Sequence, residues 1–101
     1  LDRTTLNAKV TVFIMIKTRE HSIEWIDRFY QATRDMTEIV DIYRMSGEVD
    51  YLIRAFLPDI QAYDVLYKKI IGQLPVANIT SMFAMEEIKS TSAGPLDFIP
   101  D

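Results

Sequence analysis

Ile39-Val40-Asp41-Ile42-Tyr43-Arg44-Met45, then Ser46-Gly47-Glu48-Val49-Asp50, then Tyr51-Leu52-Ile53-Arg54-Ala55-Phe56-Leu57 is the stretch whose reading decides the fold. β-Branched and aromatic residues flank a short run of turn formers, so two strands are expected, Ile39–Met45 and Tyr51–Leu57. Gly47, just after an alternating apolar run, marks a backbone position whose φ other residues avoid. Asp50, three residues on, can hydrogen-bond the turn backbone or hold a ligand's ammonium group. This G-x-x-D-Y turn is the main functional clue, because the rest of the chain reads as scaffold.

Working outward, Lys9–Lys17 reads K-V-T-V-F-I-M-I-K, a β-branched run bounded by lysines, and predicts a first strand. Ser22 is placed as an N-cap and Glu24 in the first turn complements the helix dipole. Ile23, Ile26, Phe29 and Tyr30 recur at helical spacing, predicting a helix to about Arg34. On the other side Pro58 ends the third strand, and Asp59 caps a second helix. Ile60, Tyr63, Leu66, Tyr67, Ile70 and Leu74 make that helix's apolar stripe, with Lys68 and Lys69 towards its C-terminal end. Gly72 weakens its last turns and Pro75 ends them. Ile79–Lys89 predicts a fourth strand. Residues 1–89 read as one domain and 90–101, with Ser, Gly and two prolines, as a tail.

The order β-α-β-β-α-β predicts an α+β fold, the ferredoxin-like sandwich. Its four-stranded antiparallel sheet carries both helices on one face. Strand alternation then makes a second prediction. The first strand puts Val10, Val12, Ile14 and Ile16 on one face and Phe13 and Met15 on the other. The third puts Ile53 and Ala55 on one face and Leu52 and Phe56 on the other. Sheets with one wet face alternate cleanly, and this central pair does not. The second apolar face needs a cover, and another copy of the chain, sheet against sheet, is the simplest one.

Composition bounds the function. A length of 101 residues fits one domain, and an apolar fraction of 49% is too high for disorder. A net charge of −4 with scattered Lys and Arg offers no basic stripe for nucleic-acid phosphates. No apolar run reaches the roughly 18 residues of a membrane span, and no leader is visible, so a cytoplasmic location is expected. The chain has no cysteine, and His21 is its single histidine. Neither a thiolate metal site nor a nucleophile–base pair can be assembled, so no metal and no cofactor are expected.

The fold, Ser46-Gly47-x-x-Asp50-Tyr51, Leu74-Pro75 before the last strand and Met85-Glu86-Glu87-Ile88-Lys89 at its end together resemble the C-terminal effector domain of the Lrp/AsnC (leucine-responsive, feast/famine) transcription regulators. The similarity runs from about Leu1-Asp2 to Lys89. It implies an effector-sensing and oligomerisation domain, a homodimer through the sheets, rings of four dimers (octamers), and a small amino-acid effector. In that family a helix-turn-helix domain lies N-terminal, so DNA would be reached only through a domain outside this chain. The resemblance implies a ligand site near the G-x-x-D turn and the start of strand four. Ser46, Gly47, Glu48, Asp50 and Tyr51 in the turn, with Thr80 and Ser81 on that strand, are the candidate ligand-binding residues. Where many members have Leu-Pro-Gly-Val, this chain has Leu74-Pro75-Val76-Ala77-Asn78.

Each of these residues also has a plain structural reading. Gly47 and Asp50 suit any hairpin, Tyr51 suits packing, and Thr80 and Ser81 are ordinary strand residues. Trp25 and the five methionines read as packing, and Glu86 and Glu87 as neighbours on opposite faces of a strand. A small dimeric α+β-barrel enzyme and a standalone amino-acid sensor are the alternative functions, since fold alone does not separate them.

Overall fold

The computed structural model describes residues 10–90, in the order β1 (Val10–Lys17), α1 (Ile23–Arg34), β2 (Ile39–Arg44), β3 (Tyr51–Leu57), α2 (Gln61–Gln73) and β4 (Asn78–Phe83). The strands form one antiparallel sheet in the order β2-β3-β1-β4. This is the expected ferredoxin-like arrangement, with β1 and β3 in the centre. Lys9 and the tail from residue 91 onward lie outside the described residues.

Local chemistry explains the boundaries. The Ser22 hydroxyl oxygen accepts the Trp25 N–H at 3.1 Å and so satisfies one of the free donors that open α1. The Asp59 carboxylate does the same for α2, accepting the Ala62 N–H at 2.9 Å. Pro75 disfavours helical geometry in the residue before it. Leu74 accordingly turns extended, at φ −136° and ψ 134°, and α2 stops. In β2 a register shift between Ile39 and Asp41 leaves Val40 as an extra residue, a bulge that bends this edge strand.

The core lies between sheet and helices. Val12, Ile14, Ile16, Ile53, Ala55 and Leu57 from the central strands are fully buried against Trp25, Phe29, Leu66 and Ile70. Trp25 stacks on Phe29 at 5.2 Å and on Tyr51 at 5.6 Å, and Phe29 lies 4.7 Å from Tyr51. Such ring pairs add about 0.5–1.5 kcal/mol each beyond the area they bury.

Two expectations need correction. Of the apolar residues whose spacing predicts α1, Phe29 is buried and Ile26 packs half-buried against the core, whereas Trp25 and Thr33, and not Ile23 and Tyr30, complete the inward face. Ile23 is 74% exposed and Tyr30 51%. Thr33 can be buried because its hydroxyl donates to the Phe29 carbonyl at 2.8 Å, leaving no unpaired polar atom. The fourth strand ends at Phe83 rather than Lys89. The last paired residues are Val12 and Phe83, and the Ala84 N–H adds one further bond to the Thr11 carbonyl at 2.9 Å. Glu86 and Glu87 therefore lie beyond the strand, both exposed.

Candidate functional site

The turn between β2 and β3 is tied to the end of β1. The Met45 N–H donates to the Asp50 carbonyl, and the Asp50 N–H to the Ile16 carbonyl, both at 2.9 Å. Asp50 Oδ2 accepts the Thr18 N–H at 2.8 Å, so one carboxylate oxygen is committed to the backbone where β1 ends. Gly47 sits at φ +106°, a conformation that side chains resist, and no atom lies within 4 Å of where a Cβ would project. The glycine serves the backbone of the turn and makes no close approach to a neighbour.

Strand alternation decides what this turn faces. Lys17 pairs with Asn78, and Met15 with Thr80, so these four side chains stand on the sheet face away from the helices. Together with Glu48 and Val49 of the turn they line a hollow of about 220 Å³. Met15 and Val49 supply apolar wall, Thr80 and Asn78 uncharged hydrogen-bonding groups, and Lys17 and Glu48 one charge of each sign. That set complements a small molecule carrying a carboxylate and an ammonium group.

The seven candidate residues fall in different places. Glu48 and Thr80 come together in the hollow. Ser46 and Gly47 are exposed at the turn. Tyr51 is buried on the helix side among Trp25 and Phe29, and its phenol is held above the ordinary value of 10.0, first by burial, then by Tyr30 and Asp50 against the opposing pull of Arg44. Ser81 also faces the helices, level with Ile14, and its hydroxyl is hydrogen-bonded to that of Tyr63. Lys17 and Asn78 escaped the sequence reading. They meet only through the β1–β4 register, which no local pattern encodes.

The loop entering β4 is held from α1. Trp25 Nε1–H donates to the Pro75 carbonyl at 2.9 Å, and Arg28 donates to the Gln73 carbonyl at 3.1 Å. The Ala77 N–H then joins the Lys17 carbonyl at 2.8 Å, which delivers Asn78 and Thr80 to the hollow. Among the described residues no group of three or more His, Cys, Asp or Glu is placed to hold a metal ion. No helix among them is long and apolar enough to cross a membrane.

A four-stranded sheet with this strand order, two helices on one face and a small polar hollow on the other defines a ligand-binding α+β domain. The family description "Lrp/AsnC ligand binding domain" matches residues 11–94, and the chain belongs to that family. It is 40% identical over 98 residues to the DNA-binding transcriptional activator DecR of Escherichia coli, covering 96% of this chain and 64% of that protein. Among solved structures it is similar to an AsnC family transcriptional regulator from Agrobacterium tumefaciens, with a TM-score of 0.86 and 49% identity over 98% of this chain and 65% of that one. A transcriptional regulator from Neisseria meningitidis, solved in complex with L-Met, matches with a TM-score of 0.83 and 26% identity over 97% of this chain and 64% of that one. The chain thus spans just under two thirds of the length of these relatives.

Proposed function

We propose that this chain is the effector-sensing and assembly part of an Lrp/AsnC-type transcription regulator. It binds an amino acid or related small metabolite and is not an enzyme. The observation that carries the reading is the hollow lined by both Lys17 and Glu48 together with Met15 and Val49, beside the Gly47–Asp50 turn. Lys17 takes the carboxylate, Glu48 the ammonium group, and Thr80 and Asn78 the remaining hydrogen bonds. Asp50 holds the turn in shape through Thr18. The L-Met complex of the Neisseria meningitidis relative supports this ligand class.

The same sheet face exposes Phe13, Met15, Leu52 and Phe56 in part and Met82 by 54%, and a second copy covers it in our reading. Dimers then associate further, up to octamers. Because the hollow opens on that face, a partner closes over it, and ligand binding is linked to assembly. DNA is contacted through a helix-turn-helix domain outside this chain, which itself carries a net charge of −4. The protein acts in the cytoplasm.

A thermal-shift screen of amino acids and 2-oxo acids tests the reading. At least one compound is expected to raise the Tm of the wild type, with about 2.7 kcal/mol of stabilisation at a hundredfold excess over Kd. Glu48→Gln should lose most of that shift with little change in its own Tm. Asp50→Asn should lower the Tm without ligand, because it weakens the bond to Thr18. Equal ligand shifts in wild type and Glu48→Gln would remove Glu48 from the site. No shift with any compound would overturn the effector reading.

A further inference from the structure

Residues paired across strands stand level on one face of a sheet. On the face away from the helices, two such rows run across all four strands. One is Asp41, Arg54, Phe13 and Met82, and the next is Tyr43, Leu52, Met15 and Thr80. The first row is charged on its β2–β3 half and apolar on its β1–β4 half. Its Arg54 is paired with Asp41 and lies over the Phe56 ring. The second row ends at Thr80, in the ligand hollow, and begins at the opposite edge with Tyr43. Tyr43 is 50% exposed, and its hydroxyl makes no hydrogen bond among the described residues.

We propose that Tyr43 of the partner subunit forms a wall of the hollow, with its ring on an uncharged effector side chain and its hydroxyl beside Thr80. The inference rests on the sheet-face dimer and the effector site proposed above. A two-fold axis between facing sheets can run along the strands or across them. Across the strands at the first row, it sets Arg54 on Arg54 and Asp41 on Asp41, and like charges in contact disfavour it. Halfway between the two rows, it covers the Arg54 guanidinium with Leu52, which removes water from a charge and offers nothing in return. Along the strands, through the middle of the sheet, the axis reverses each row upon itself. Arg54 then meets Phe13 of the partner subunit, and a guanidinium is attracted to a ring face. Leu52 meets the partner's Met15, apolar on apolar. The partner's Tyr43 arrives over Thr80. Facing sheets lie about 10 Å apart, a gap that a tyrosine and a threonine side chain bridge together. Lys17 and Glu48 are taken by the carboxylate and ammonium groups of the effector. The walls left for its side chain are Met15, Val49 and the ring, none of which offers a charge a partner.

The absence of native cysteine makes the placement testable. Tyr43→Cys and Thr80→Cys are combined in one full-length chain and treated with a short bis-maleimide. The double variant is expected to give a covalent dimer on a denaturing gel, and neither single variant is. Binding is then measured with L-methionine as the probe. Tyr43→Ala should weaken it about tenfold. Tyr43→Ala lacks the ring, and Glu48→Gln damages the hollow. Refolded together in equal amounts, the two chains form hybrid dimers in which the sound hollow of one meets the sound ring of the other. About a quarter of the wild-type sites should reappear at wild-type affinity, as random pairing in a two-fold dimer dictates. A ring that acts on its own chain's hollow restores none, and that result overturns the shared site. A covalent dimer from Tyr43→Cys alone puts β2 against β2 and overturns the axis. A wild-type dimer in which the double variant does not cross-link overturns the placement and leaves the dimer standing. Tyr43→Ala that binds L-methionine like the wild type removes the ring from the site, whereas Glu48→Gln that does so overturns the site reading beneath it. A wild type that cross-links as expected but binds no L-methionine overturns the ligand role of the ring. A wild type that sediments as a folded monomer overturns the dimer and the shared site together.

Discussion

The two faces of the sheet are built from the same strands, and only one of them is finished within the chain. Facing the helices, Val12, Ile14, Ile16, Ile53, Ala55 and Leu57 are fully buried. Facing away, Phe13, Met15, Leu52 and Phe56 remain partly accessible. The open face is also where the charges collect. Arg54 donates to Asp41 Oδ2 at 2.6 Å across β2 and β3, and its guanidinium lies over Phe56, 5.2 Å from the ring centre. Directly level with Arg54 stands Phe13, and beyond it Met82. One face thus packs for stability alone, while the other mixes apolar area with charge, as a surface made to be covered selectively does.

That contrast breaks most severely at the closed face. Phe29→Ala removes the ring shared by Trp25 and Tyr51 and should cost about 3–5 kcal/mol, read as a lowered midpoint in urea with an unchanged slope. On the open face the outcome is different in kind. Phe13→Asp should dissociate the proposed dimer in sedimentation velocity while the far-ultraviolet circular dichroism of the monomer stays native, since its neighbours there are half exposed. If Phe13→Asp unfolds the chain as thoroughly as Phe29→Ala, the two faces are not separable. A smaller effect sharpens the boundary between them: Gly47→Ala, at φ +106°, should lose about 1–2 kcal/mol from backbone strain alone, with no clash to relieve.

The smallest expected effect concerns pH. The phenol of Tyr51 is raised above 10.0, mainly by burial. The folded protein therefore holds this proton more tightly than the unfolded chain does. The resulting stability is fully present below the unfolded value and is lost as pH rises through the folded one. Tyr51→Phe should flatten the fall in stability above about pH 10, measured by urea unfolding at a series of alkaline pH values. Identical alkaline profiles would show that Tyr51 ionises alike in both states.

The element order was legible because strong local signals agree: β-branched runs, Ser22 and Asp59 as caps, Pro58 and Pro75 as stops. The bounds expected for β3 and α1 coincide with those observed. Signals that depend on a partner were not legible. Ile23 and Tyr30 are as apolar as Trp25, and periodicity does not rank them. The face of α1 is set by the reach of the Trp25 indole to Pro75 and by its stack on Tyr51. The length of β4 is set by its pairing across the sheet with β1, which the run Met85-Glu86-Glu87-Ile88-Lys89 does not itself encode. In the candidate site, Glu48 was found because it belongs to the turn, whereas Lys17 and Asn78 arrive by long-range register. The Asp41–Arg54 pair was hidden for the same reason: the two residues are adjacent only across strands, and a bulge at Val40 sets their alignment.

Trp25 is the only tryptophan in the chain, and its indole N–H is spent on Pro75, three residues before Asn78, which lines the hollow. Indole emission shifts with the polarity and hydrogen bonding around the ring. The molecule therefore carries its own optical gauge of the loop that shapes the proposed ligand site. Any movement of Pro75 relative to α1 will register as a change in emission wavelength, without a label and without a second tryptophan to confuse the signal.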